Sequence, residues 1–504
     1  MYDKILSKKE NLKISILQEM LFNPTSRYTS KLSKIFNRAN SSIIRYINEL
    51  MIDLEDIFQK EVIVDLHDGS YMIINEDDGN FDYLLDMLKH FYLSNSDLYE
   101  IYFALLLGRE IQSTEQLSQY LNISISSTYS KLKRLNLIAT SFDVKIKIAK
   151  KKFVGNEVNI RVFIGYMTWI LLRGVKNEAL PHFYNPWETD SYIYNLPFKR
   201  YNDLSHSQLN KLKILLNTLV YRTRFERVMI DLPNEFYEDA APFSDGDHPF
   251  LDILNDYLDK KTKKKETVFF YFVARTIYGI DTDFKKKKII EKLKNNPTKT
   301  MHIVSDFFES FLYHFGIYIT KENHDEAFYI LAISFIYYKY IRIDFTDNFE
   351  FSIFEINREF ERRRGFSNKL KKITKFLDNY LKDHNITYIT NNMKKLLSHT
   401  LYFILETSNF ECKLKIYIDY SKNLWIPNNI QNNLLAMFNS ESIEFIENIA
   451  EADITISDIY TNDFSKRKNN QFYFENPYLD QTWSELFKFV AMAIYEKKHK
   501  ILGK

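Results

Sequence analysis

The sequence holds one cysteine, Cys412, in 504 residues. A single thiol excludes an internal disulfide framework and suits a reducing compartment. Glycine and proline are also scarce, at 11 and 10 residues, which argues against a loop-rich β protein. No phosphate loop, nucleophile elbow or glycine-rich dinucleotide turn is present, and none of the 11 histidines stands in a zinc-site spacing. Composition and motifs thus point to no enzyme, no metal and no cofactor. Net charge is close to zero, at +2, so any surface for a polyanion must be a local patch. The most apolar run, AFYILAISFIYYKYI, is shorter than the ~18–20 residues a bilayer requires and carries Lys339. The opening residues, MYDKILSKKENLKISIL, lack the apolar core of a secretory signal. A soluble, cytoplasmic protein without a membrane contact is expected.

What the chain does have is apolar material, 45% of residues with 16% aromatic. Single cores stop growing near ~250–300 residues, so several domains are expected. One stretch occurs twice. SKLSKIFNRANSSIIRYINEL (Ser30–Leu50) lies over EQLSQYLNISISSTYSKLKRL (Glu115–Leu135), about 85 residues on. Leu32 matches Leu117, Asn37 matches Asn122, Ser42 matches Ser127 and Leu50 matches Leu135. Apolar residues recur at three- and four-residue intervals on both sides of a polar break, the pattern of two helices sharing a small core. Ser113–Gln116 has the composition of a capping box, and Ser124 is placed to cap the next helix. From that cap Thr128, Leu132 and Leu135 point inward, which leaves Ser126, Ser127, Tyr129, Ser130 and Lys133 outward. Short hydrogen-bonding side chains near a helix start, followed by cations, suit a helix entering the major groove.

Each copy is followed by a hairpin pattern. The first is VIVDLHDGSYMII, with Asp68 and Gly69 at its turn. The second is VKIKIAKKKFVGNEVNIRVF, read as two runs around Gly155 and Asn156. Helix–turn–helix plus hairpin is a winged helix. From Ser124 to Arg161 there are nine Lys or Arg against two acids, enough to neutralise several phosphates. The expected DNA-contacting residues are Ser126, Ser127, Tyr129, Ser130, Lys131, Lys133 and Arg134, with Lys150, Lys151 and Lys152 in the wing. The more acidic first copy supplies Ser41, Ser42 and Arg45. Double-stranded promoter DNA is the expected partner. A protein-binding scaffold is the alternative, because basic helical hairpins are often only solvated surface.

Residues 163–410 read as successive amphipathic helices, with a break near KNNPTKT. Lys213–Val228 resembles Tyr329–Asp344, an aliphatic helix ending in aromatic and cationic residues. After Cys412 strands alternate with helices, which indicates a small α/β unit with a largely parallel sheet. The expected fold is multidomain and mainly α. Its divisions are 1–88 (N-terminal segment and first winged helix), 89–162 (second winged helix), 163–296 and 297–410 (all-helical modules) and 411–504 (α/β domain).

This order resembles the Mga/AtxA group of virulence regulators of Gram-positive bacteria. LSKKENLKISILQEML resembles the segment ahead of that family's first helix–turn–helix. FVGNEVNIRVF resembles its wing exit, with Gly155, Glu157, Ile160 and Arg161 on the family pattern. The resemblance implies that the helical modules are phosphotransferase-system regulation domains (PRDs) and that the tail is enzyme IIB-like. It further implies a transcription activator, a homodimer formed through the C-terminal domain, and tuning by histidine phosphorylation from a phosphocarrier protein. By order along the chain, the regulatory histidines would be His206 and His399, with His182, His314 and His384 in reserve. The ordinary reading of His206 and His399 is a surface or interfacial histidine with satisfied hydrogen bonds. The loop DYSKN offers no cysteine or histidine where an active enzyme IIB accepts phosphate, so a non-catalytic tail is expected. Trp483, Phe487, Phe489 and Val490 fit a dimer face or a core equally well.

Overall fold

Ser7 shows how many of these helices begin. In the computed structural model its hydroxyl accepts the Glu10 N–H at 3.2 Å while the Glu10 carboxylate accepts the Ser7 N–H at 2.6 Å. This reciprocal cap starts α1 (Lys8–Phe22). Ser113 with Gln116, and Ser205 with Gln208, repeat it further along. The structure describes residues 5–23, 27–59, 62–67, 70–75, 81–108, 110–148, 152–172, 205–244, 258–276, 283–295, 297–317, 319–343, 366–408, 413–420, 425–440, 442–458, 471–474 and 476–501. Among them are eighteen α-helices and eight short strands. The chain divides into two compact units, residues 1–298 with 336–355 and residues 299–335 with 356–504.

The first unit opens with α1, α2 (Thr29–Phe36) and α3 (Asn40–Phe58), followed by the antiparallel pair β1 (Val62–His67) and β2 (Ser70–Asn75). His67 pairs with Ser70. Asp68 and Gly69, the expected turn, lie outside the described residues. Next come α4 (Phe81–Ser94), α5 (Asp97–Leu107), α6 (Thr114–Tyr120), α7 (Ile125–Thr140), the short pair β3 (Lys145–Ile146) and β4 (Phe153–Val154), and α8 (Glu157–Leu172). A helical module follows with α9 (His206–Val220), α10 (Asn234–Ala240), α11 (Lys260–Thr276) and α12 (Asp283–Asn295). The expected divisions at 88/89 and 162/163 fall inside α4 and α8. A continuous helix therefore crosses each of these two divisions.

Charge also joins α1, α3 and α4. Asp53 on α3 takes the Lys13 ammonium of α1 and the Tyr92 hydroxyl of α4, and Lys13 lies 4.9 Å from the Tyr92 ring centre. Burial, then the Asp53 hydrogen bond, pushes the Tyr92 phenol well above its usual range.

The duplication in the helical region has a geometric signature. Eight residues into each matched segment the helix loosens into a π-helical turn, Tyr221–Phe225 after α9 and Tyr337–Ile341 after α14 (Lys321–Ile336). Each turn is closed by an i+5 hydrogen bond of 3.1 Å, Glu226 N–H to Tyr221 O and Arg342 N–H to Tyr337 O. The leading tyrosine hydroxyl of each is buried on a carbonyl at 2.8 Å, Leu106 for Tyr221 and Ile343 for Tyr337.

The second unit contains α13 (Lys299–Phe315), most of α14, α15 (Phe366–Asp383) and α16 (Asn391–Ser408). Phe307 packs on Phe335 and Tyr380, and the Tyr380 hydroxyl meets Asp306 at 2.5 Å. The tail is β5 (Leu414–Asp419), α17 (Ile426–Met437), β6 (Ile443–Phe445), β7 (Ile454–Ser457), β8 (Gln471–Tyr473) and α18 (Asp480–Ile501). Its strands are all parallel in the order β6-β5-β7-β8. Ile416, Ile430, Ile456, Phe474, Leu486 and Val490 fill its core, each fully buried aliphatic residue contributing about 1.5–3 kcal/mol. Trp483, Phe487 and Phe489 lie against that core, and the Trp483 indole N–H donates to the Pro477 carbonyl at 2.9 Å. Packing inside the domain therefore already uses these aromatics.

Candidate nucleic-acid interface

The turn between α6 and α7 is built from local chemistry. Asn122 adopts a left-handed backbone, φ 51°, which asparagine tolerates better than most residues. Around it the Ile123 N–H donates to the Ser118 carbonyl at 3.1 Å, while the Ser118 hydroxyl donates to the Ile123 carbonyl at 2.6 Å. The first copy has the same construction. Asn37 has φ 50°, the Arg38 N–H donates to the Ser33 carbonyl, and the Ser33 hydroxyl donates to the Arg38 carbonyl. Ser33 and Ser118 stand at the repeat offset but do not figure among the matched positions, because a serine within a helix carries no strong signal.

Helix α7 then starts on Ser124, whose hydroxyl accepts the Ser127 N–H at 3.2 Å. Thr128, Leu135 and Ile138 are fully buried and Leu132 nearly so, while Ser126, Tyr129, Ser130 and Lys133 are exposed and Ser127 is half-buried. The core side anchors the helix and leaves its polar side open over the first three turns. Asn136 holds the wing to this helix, its carboxamide accepting the Ile146 N–H at 2.7 Å and donating to the Ile146 carbonyl at 3.2 Å. In the first copy Ser41 and Arg45 are exposed on α3 and Ser42 is half-buried. Ala39 stands where the second copy has its capping serine and offers no side-chain cap.

Not every expected cation faces outward. Lys131 is paired with Asp97 at 2.7 Å, and the Arg134 guanidinium turns to the Leu6 carbonyl, tying α7 to the chain just ahead of α1. Lys152 is 9% exposed and donates to the Gly108 carbonyl. Burial lowers its pKa against the opposing pull of Glu226, and this buried amine does not reach a phosphate. Lys150 and Lys151 lie outside the described residues. Lys145 and Lys147 are exposed on the wing, although no motif in the sequence marks them.

The second hairpin also differs from expectation. Lys145 pairs with Val154 and Ile146 with Phe153, and the Lys147 N–H donates to the Lys152 carbonyl at 2.8 Å, so Gly155 and Asn156 lie past the paired residues and not at the turn between them. Gly155 leaves the hairpin where a Cβ would meet the Asp143 carbonyl at 2.8 Å. The Asn156 side chain accepts the Val158 N–H at 2.8 Å and starts α8. From Glu157 onward the wing-exit motif is thus the start of a buried helix.

Its charged residues form a closed cluster. Arg161 contacts Glu157 at 2.8 Å and grips Glu266 of α11 through two nitrogens at 2.6 and 3.1 Å. Arg222, in the π-helical turn, grips Glu157 at 2.7 and 3.0 Å. Glu266 also accepts the Ile230 N–H at 2.8 Å, and Arg161 donates to the Val228 carbonyl at 3.1 Å. Arg161 is 3% exposed and Glu266 not at all. Burial opposes the guanidinium charge, but the two carboxylates outweigh it and raise the pKa.

Of the regulatory candidates, His206 is the first residue of α9, but its side chain is outside the described set. His399 is 7% exposed on α16, so a donor protein has no path to its ring in this fold. His384 is exposed, stacked on Tyr380 at 3.9 Å and 3.4 Å from Asp306. His314 is exposed, and His182 lies outside the described residues. Cys412 and residues 421–423 of the DYSKN loop also lie outside them.

An exposed, capped helix following a tight turn and buttressed by a small hairpin defines a helix–turn–helix protein of the DNA-binding regulator class. Residues 82–166 match the Mga helix-turn-helix domain. The match supports a Mga-like family member and spans α4 through most of α8, including the second winged helix. That family is regulatory and DNA-binding rather than enzymatic. No curated protein matches the chain. Among the described residues no helix is long and apolar enough to cross a membrane.

Proposed function

We propose that this chain is a transcription regulator of the Mga type, acting as an activator, whose second winged helix reads promoter DNA. The open face of α7 carries the reading: Ser126, Ser127, Tyr129, Ser130 and Lys133 reach base edges while Thr128, Leu132 and Leu135 anchor the helix. Lys145, Lys147, Lys150 and Lys151 meet phosphates from the wing. Changing these four to alanine flattens the slope of log affinity against log salt by about 0.9 for each phosphate no longer neutralised, on every duplex alike. An anisotropy titration at several salt concentrations measures this, and an unchanged slope removes the assignment.

The first copy supports DNA binding through Ser41, Ser42 and Arg45. A second reading of it rests on Ile35, Ile44 and Ile52, which are 50%, 41% and 60% exposed. Three isoleucines on one helix–turn–helix suit a protein surface better than a phosphate backbone.

We read the helical modules as PRDs and the tail as enzyme IIB-like. The matched π-helical turns support the first reading, and the parallel sheet supports the second. A homodimer through the tail is supported by exposed Trp425, Leu435 and Met437 at and beside α17. A phosphocarrier protein would modify His206 in the first module. His399 serves packing instead. His399→Asp places a carboxylate in a nearly closed site and costs on the order of 3 kcal/mol, seen as a fall in the thermal midpoint. Phosphate found on His399 of the folded protein by mass spectrometry would overturn this.

A further inference from the structure

The strongest local charge in the described structure is not on the winged helices. Helices α11 and α12 together carry twelve cations and three acids, in a chain whose total is only +2. Five lysines fall in the first six residues of α11, at positions 260, 261, 263, 264 and 265. This is a poor place for them. The start of a helix is its positive end, where cations are disfavoured. Pairs such as Lys260 with Lys264, and Lys261 with Lys265, repel across one turn. The acid beside them, Asp259, is committed to capping: it accepts the Lys261 and Thr262 N–H groups at 2.9 and 3.1 Å and the Thr262 hydroxyl at 2.5 Å. Lys260, Lys261 and Lys264 are exposed. Lys265 instead lies over the Tyr237 ring at 4.9 Å.

The position of this cluster is fixed. The residue after Lys265 is Glu266, the carboxylate gripped by Arg161 on the helix that leaves the wing. At 1.5 Å per residue, Lys260 stands about 9 Å along α11 from that grip. The lysines are thus attached, through a buried ion pair, to the base of the hairpin whose exposed cations among the described residues are Lys145 and Lys147.

We propose that Lys260, Lys261 and Lys264 form a second phosphate-binding surface, which holds the duplex flanking the site read by α7. This rests on the regulator reading above and extends it to the first helical module. The partner is duplex DNA, since the cluster is built into the same compact unit as the winged helices and anchored beside the wing.

The test uses the full chain and two duplexes sharing one selected site, a short one ending at the site and a long one with flanks of about one further helical turn on each side. Wild type binds the long duplex more tightly, with a salt slope steeper by about 2 to 3, at roughly 0.9 per phosphate neutralised. The Lys260→Ala, Lys261→Ala, Lys264→Ala variant loses that difference and matches wild type on the short duplex, while the three arginine replacements retain it. A variant that keeps the long-duplex gain, or loses affinity equally on both lengths, overturns the flank surface alone. Wild type binding neither duplex overturns the regulator reading and this proposal together.

Discussion

Glu266→Ala lowers the folding stability of the first unit by about 3–5 kcal/mol, the range for removing one partner of a buried ion pair. The size follows from what is left behind. Arg161 is 3% exposed, loses two of its charge-assisted hydrogen bonds and keeps Glu157, which it already shares with Arg222. The Ile230 N–H loses its acceptor as well. At about 2–4 °C per kcal/mol for a unit of this size, calorimetry reads a fall of roughly 10 °C. The paired change Arg161→Met with Glu266→Leu restores most of it, because the desolvation cost disappears with both charges. A loss below about 1 kcal/mol in the single variant would mean that water reaches this cluster. The cluster joins the wing exit to α11 and to the π-helical turn, so the same variant also loosens the wing against the helical module.

Replacing Ser126, Tyr129 and Ser130 together with alanine removes sequence preference and leaves folding intact. All three side chains are exposed, and the buried side of α7 is untouched. The Ser124 cap remains, so the helix still starts where it did. A good base interaction is worth about 1–3 kcal/mol of discrimination, so losing all three, even at the low end of that range, costs on the order of a hundredfold in preference for a selected duplex over a scrambled one. Affinity for the scrambled duplex stays the same, because the wing supplies it. Equal loss on both duplexes would show that this face meets backbone and not bases.

Local chemistry carried much of this structure in the sequence. Capping is decided within four residues, which is why Ser113, Gln116 and Ser124 are readable by eye. Asn37 and Asn122 align because a left-handed turn selects for them. The tail's alternation of strand and helix is equally local. The second wing was harder. VNIRVF alternates like a strand, yet it is the start of a helix buried nearly all round, and short apolar runs do not separate the two cases. Gly155 and Asn156 have turn composition but serve a close approach and a helix start. A lysine's identity does not say which way it points, so Lys152 reads like its neighbours until Gly108 is seen beside it. Arg161 and Glu266 are 105 residues apart, and nothing near either announces the other. His399 matches a regulatory site by order, but order carries no information about burial.

Selection from a random duplex library, run with the full chain and with matched substitutions in each copy, tests the central claim most directly. Wild type enriches a defined motif. The Ser126, Tyr129 and Ser130 variant does not, and a chain altered at Ser41, Ser42 and Arg45 keeps the core of that motif with weaker enrichment. The same motif emerging undiminished from the second-copy variant would show that α7 does not face the bases, and would contradict the account.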